Sequence, residues 1–72
     1  MGPVTETLIV LEAPGRFVAF LVLHNDLVIE GADILGYMKR KQWSKAQVCC
    51  YAKSKGWKCS VVHEMLLTEG TA

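Results

Sequence analysis

The sequence predicts a small α+β domain: a three-stranded antiparallel meander, one main helix and one returning strand, in the order β-β-β-(α)-α-β. Three observations lead there. Residues 4–30 hold three apolar, β-branched runs separated by turn residues. Residues 44–56 carry both a start and a stop signal for one helix. An apolar run resumes directly after that stop. With 72 residues the chain is one domain, 1–72, with 65–72 as a loose tail in which Met65, Leu66 and Leu67 can still pack. A chain this short buries only about 60% of the surface its unfolded form exposes, so its stability is thin.

The first strand is Val4 to Glu12, apolar and β-branched. It stops at Ala13-Pro14-Gly15-Arg16, where proline presets φ for the second turn position and glycine accepts positive φ at the third. Arg16 to Leu23 is the second strand. Phe17, Ala19, Leu21 and Leu23 point one way and Val18, Phe20 and Val22 the other, so both faces are apolar, as in a strand covered on two sides. His24-Asn25-Asp26 tolerates a tight turn, and Leu27 to Glu30 is a shorter third strand.

Residues 31–42 form a short helix or irregular turn, with Asp33 as its cap and Ile34, Leu35 and Met38 as its buried side. Gly36 weakens it by about 1 kcal/mol relative to alanine. Ser44-Lys45-Ala46-Gln47 is a capping box, and Gly56 stands where a left-handed stop residue belongs. Lys53 and Lys55 suit the negative end of the dipole of the helix, residues 45–55. On a helical wheel Val48, Cys49, Tyr51 and Ala52 form the buried stripe, and Gln47, Cys50 and Ser54 face outward. Residues 57–63 are the returning strand.

One helix covers one face of a small sheet, yet the second strand is apolar on both. Either residues 32–42 cover the second face or another copy of the chain does. Contiguous apolar patches beyond a few hundred Å² are rare on monomers, and closed two-fold dimers are the commonest oligomers. A homodimer through Val18, Phe20 and Val22 is therefore expected.

Charge is segregated along the chain. Arg16 stands against Glu6, Glu12, Asp26, Glu30 and Asp33 in residues 1–33, a net −4, whereas residues 34–63 hold seven of the eight basic side chains and no acid. Lys39, Arg40, Lys41, Lys45 and Lys58, with Trp43 among them, are the candidate anion-binding residues. Lysines interleaved with aromatics suit a surface that tracks phosphates and stacks on bases. A single arginine in that segment leaves little for reading sequence, so binding would be phosphate-dominated and non-specific. Against this, the helix lysines flank its buried stripe and would lie along it with their charged ends in water. The other expectation is a small regulatory or inhibitory protein that docks on a larger protein, its two oppositely charged halves orienting the encounter.

No catalytic residue, metal ligand set, cofactor or small-molecule substrate is expected. Cys49, Cys50, Cys59 and His63 lack zinc-knuckle spacing, and Cys59 and His63 on one strand would stand about 13 Å apart. Cys50, outward and beside basic residues, is the thiol expected to react first. His24 and His63 are bystanders, the carboxylates sit at strand ends, and the glycines form no phosphate loop. The longest apolar run, Phe17 to Leu23, is short of the roughly 20 residues a bilayer demands. The Met-Gly-Pro-Val-Thr-Glu start lacks the basic and apolar regions of a signal peptide. Three cysteines, two of them adjacent, fit reduced thiols and a cytoplasmic setting better than a disulfide scaffold.

Overall fold

The computed structural model describes residues 4–67, which form one four-stranded antiparallel sheet with two short helices packed on one side of it. The strands are β1 (Val4–Ala13), β2 (Phe17–His24), β3 (Leu27–Gly31) and β4 (Lys58–Leu67), in spatial order β3-β2-β1-β4. Between β3 and β4 the chain makes a 3₁₀ turn (Asp33–Leu35) and the helices α1 (Gly36–Arg40) and α2 (Lys45–Lys55).

The turn residues act as the sequence implies. Gly15 takes φ +71° and the Arg16 N–H donates to the Ala13 carbonyl at 2.9 Å, closing β1 onto β2. Asn25 and Asp26 both adopt left-handed φ, 52° and 65°, the geometry that matches strand twist in a two-residue hairpin. The Asn25 side-chain oxygen also accepts from the Thr5 N–H at 3.1 Å, tying that hairpin to β1.

The core lies between the sheet and the helices. Ile9 and Leu11 of β1, Leu21 and Leu23 of β2, and Val28 of β3 are fully buried beneath Leu35, Met38, Val48 and Ala52. The α2 helix starts on the capping box: Ser44 Oγ accepts from the Gln47 N–H, and Gln47 Oε1 accepts from the Ser44 N–H at 2.8 Å. It stops at Gly56, φ 75°, after which the Trp57 N–H bonds the Ala52 carbonyl and turns the chain directly into β4.

Four expectations are corrected. The segment 32–42, expected as a short helix or irregular turn, forms a 3₁₀ turn and α1, but it packs on the same face as α2 and does not cover the second face of the sheet. Asp33 is not its cap: Ala32 holds that position and no side chain caps the turn. Ile34 is 56% exposed because only Leu35 and Met38 lie on its inward side. The returning strand does not end at His63 but continues through Met65 to Leu67, because β1 starts at Val4 and offers backbone partners along its whole length. Residues 68–72 of the expected tail lie outside the described residues.

Both edges of the sheet are modified. Along β3, the Val28 N–H donates to the Trp43 carbonyl at 2.9 Å and Leu27 bridges to Ser44, so the α1–α2 connection covers part of that edge. In β4 the register shifts opposite Leu8 and Ile9, leaving Val62 as an extra residue in a bulge. Bulges and covered edges discourage strand addition by other chains.

Candidate functional site

The alternation of β2 decides what the molecule presents. With Ala19, Leu21 and Leu23 facing the helices, Val18, Phe20 and Val22 face away, and their cross-strand partners share that outer side. The register sets four rows across the outer face. Val18 lies beside Glu12, with Lys58 beyond; Phe20 beside Val10, with Ser60 beyond; Val22 between Glu30 and Leu8, with His63 beyond; His24 between Leu27 and Glu6, with Met65 beyond. Val18 is 68% and Phe20 46% exposed, although both are apolar. The centre of the face is thus Leu8, Val10, Val18, Phe20 and Val22, rimmed by Glu6, Glu12 and Glu30 and by Lys58, His24 and His63.

The expected basic site is not assembled into one patch. Lys39 is paired with Glu30 at 3.3 Å and Lys45 with Glu64 at 3.1 Å, both in exposed or half-exposed geometry. Exposed pairs of this kind are worth no more than about 1 kcal/mol each, but they engage two of the five candidate basic side chains. The side-chain hydrogen bond that Lys45 donates to Glu64, reinforced by the carboxylate charge, raises the pKa of Lys45. Arg40 and Lys41 end α1, which packs against β3, while Lys58 opens β4 at the opposite edge of the sheet. The Lys58 backbone lies opposite Glu12 on the outer face.

Trp43 is committed to packing. Phe17, Trp57, Tyr51, Trp43 and Tyr37 form a chain of edge-to-face contacts with centroids 5.1–6.1 Å apart. Such pairs add about 0.5–1.5 kcal/mol beyond their buried area, so these half-buried rings close one side of the core, and Trp43 and Tyr51 also line an open apolar hollow with Gln47, Cys50 and Ser54. Burial, with the Tyr51 hydroxyl nearby, pushes the Tyr37 phenol up to about 12. Lys55 sits over the Tyr51 ring at 5.5 Å.

The thiols divide in the manner the helical wheel implies, with Cys49 half-buried and Cys50 exposed. A feature the linear spacing conceals is that Cys49 Sγ lies 3.5 Å from Cys59 Sγ. Both residues face the same space: Cys59 is opposite inward-facing Leu11, and Cys49 is on the side of α2 turned to the sheet. Among the described residues no group of three or more His, Cys, Asp or Glu side chains could hold a metal ion, and no helix is long and apolar enough to cross a membrane.

Comparison with protein-family models, curated proteins and solved structures finds no match for this chain.

Proposed function

We propose that this protein is a small non-enzymatic binding module, of the regulatory or inhibitory accessory type, that works as a two-fold homodimer through the outer face of its sheet. The observation that carries the reading is a contiguous apolar face, centred on Phe20, that no helix among the described residues covers.

The face is self-complementary. A two-fold axis parallel to the strands, between β1 and β2, exchanges the two strands across the interface. It sets Phe20 over Val10 of the second copy and Val22 over Leu8. The same rotation sets His24 over Glu6 and Glu30 over His63, facing each imidazole with a carboxylate, and sets Val18 over Glu12 at the other end of the face. Four strands about 4.8 Å apart and some eight residues long at 3.3 Å each give a footprint of about 500 Å². Both copies together then bury about 1,000 Å², the lower bound of a specific interface. Two sheets packed in this way form an aligned sandwich about 10 Å thick. The bridged β3 edge and the bulged β4 edge favour contact through the face over contact through an edge.

Light scattering at tens of micromolar tests this. The expected mass is twice 8.0 kDa, falling to the single-chain value in Phe20→Asp with an unchanged circular dichroism spectrum. A wild-type mass of one chain overturns the dimer; a wild type that stays monomeric yet loses capture of a larger protein on Phe20→Asp would assign the face to that protein.

A second reading rests on Arg40 and Lys41, which are exposed at the end of α1: weak, phosphate-dominated nucleic-acid binding through the segment 39–58. Binding through Z phosphates falls with salt at a slope of about −0.9Z on duplex DNA. With Lys39 and Lys45 paired, the expected slope is about −2 to −3, and absence of binding to mixed DNA or RNA at low salt removes this reading. The three free thiols suit a reducing, cytoplasmic setting.

A further inference from the structure

We propose that Cys49 and Cys59 are a redox-active dithiol, oxidised to an intramolecular disulfide that staples α2 to the edge strand β4. The two sulfurs are 3.5 Å apart, and a disulfide bond of about 2.05 Å requires them to close by about 1.5 Å. Neither backbone has far to move. Gly56 and the Trp57 N–H to Ala52 carbonyl bond hold the α2–β4 connection tight, so the two cysteines are set face to face by the fold.

The two thiols differ in access. Cys49 lines an open hollow with Asp26, Ser44, Lys45 and Ala46, where a small reagent can reach it. Cys59 sits deeper, and burial, with the Cys49 contact, pushes its thiol up to about 11. The Lys45 ammonium favours the Cys59 thiolate, but burial outweighs it. Cys49 is accordingly the attacking thiol and Cys59 the resolving one.

The oxidant is a low-molecular-weight disulfide of the glutathione type. The Cys49 thiolate attacks one of its sulfurs, forms a mixed disulfide and releases one thiolate. Cys59 then loses its proton and attacks the Cys49 sulfur, forming the internal disulfide and releasing the second thiolate. Two protein thiols and one disulfide become one protein disulfide and two small thiols. The staple closes a short loop between a helix and a strand that is otherwise held on one side only, by β1. It is independent of the proposed dimer, since both sulfurs lie on the covered side of the sheet.

The test uses the full chain carrying Cys50→Ser, which removes the exposed competitor, treated with oxidised glutathione and then alkylated. Intact mass is expected to show no alkylation after oxidation and two alkylations after reduction. Peptide mapping should join the segment holding Cys49 to the one holding Cys59, and Tm should rise by about 10 °C on oxidation. Two alkylatable thiols persisting after oxidation would overturn the proposal, as would disulfides found only between chains or a glutathione adduct that never resolves.

Discussion

The two faces of β2 are built from similar residues and behave differently. On the inner face, Leu21 and Leu23 alternate along β2 with no accessible surface, beneath helices that cover them. One residue away on the same strand, Val18, Phe20 and Val22 are no more polar, yet Val18 is 68% and Phe20 46% exposed. Composition alone does not separate the faces; the placement of α1 and α2 does. Contiguous exposed apolar faces are uncommon on soluble monomers, which is why the proposed dimer is placed on this side of the sheet.

The contrast can be broken most forcefully at Leu21. Leu21→Ala leaves a cavity beneath both helices and should cost about 3 kcal/mol, a fall in Tm of roughly 15 °C. Val18→Thr, measured at a dilution where the chain is monomeric, should change stability by less than about 0.5 kcal/mol. If thermal melts give comparable losses for the two, the faces do not differ as described.

A smaller effect is expected where the helices are anchored. Ser44→Ala removes an oxygen that accepts from the Gln47 N–H and should cost about 1 kcal/mol in urea unfolding. The inner face also has one flaw. Thr7 is fully buried on β1, and its Oγ1 meets no hydrogen-bond partner. Thr7→Val keeps the shape and removes the unsatisfied hydroxyl, so it should stabilise the protein by about 1 kcal/mol in the same assay. A loss of stability instead would mean that the hydroxyl has a partner in solution.

The last prediction is silent at neutral pH. Burial raises the Cys59 thiol from 9.0 to about 11 and the Tyr37 phenol from 10.0 to about 12. Both groups are neutral in folded and unfolded chains below about pH 8. Above their ordinary values the unfolded chain ionises first, so the stability they contribute is lost as pH rises through about 11 and 12. Urea midpoints should decline across this window, and Tyr37→Phe should flatten its upper half. Midpoints that hold level to pH 12 would contradict the burial of both groups.

Local chemistry made several parts of this fold legible in the chain. The capping box at Ser44 and Gln47, the stop at Gly56, the turn at Pro14-Gly15 and the hairpin at Asn25-Asp26 each depend on a few neighbouring residues. The expected helix 45–55 accordingly matches α2 at both ends. The alternation of β2 likewise assigned Val18, Phe20 and Val22 to one side and Leu21 and Leu23 to the other. The candidate basic residues were identifiable as a charge run, but their neutralisation was not. The partners of Lys39 and Lys45 are Glu30 of β3 and Glu64 of β4, brought in by sheet order.

What the sequence determined by itself is the α2 cap and stop, the two hairpin turns and the two-sided apolar character of β2, whereas the weakly marked segment 31–42 misled it on the cap at Asp33 and the burial of Ile34. Only the tertiary structure decided which side of the sheet the segment 32–42 covers. It also decided how far β4 runs beside β1, which rings Trp43 packs against, and that Cys49 meets Cys59. The physical reason is that these depend on strand pairing and helix placement between residues far apart in sequence. Their hydrogen bonds and contacts exist only once the sheet has closed.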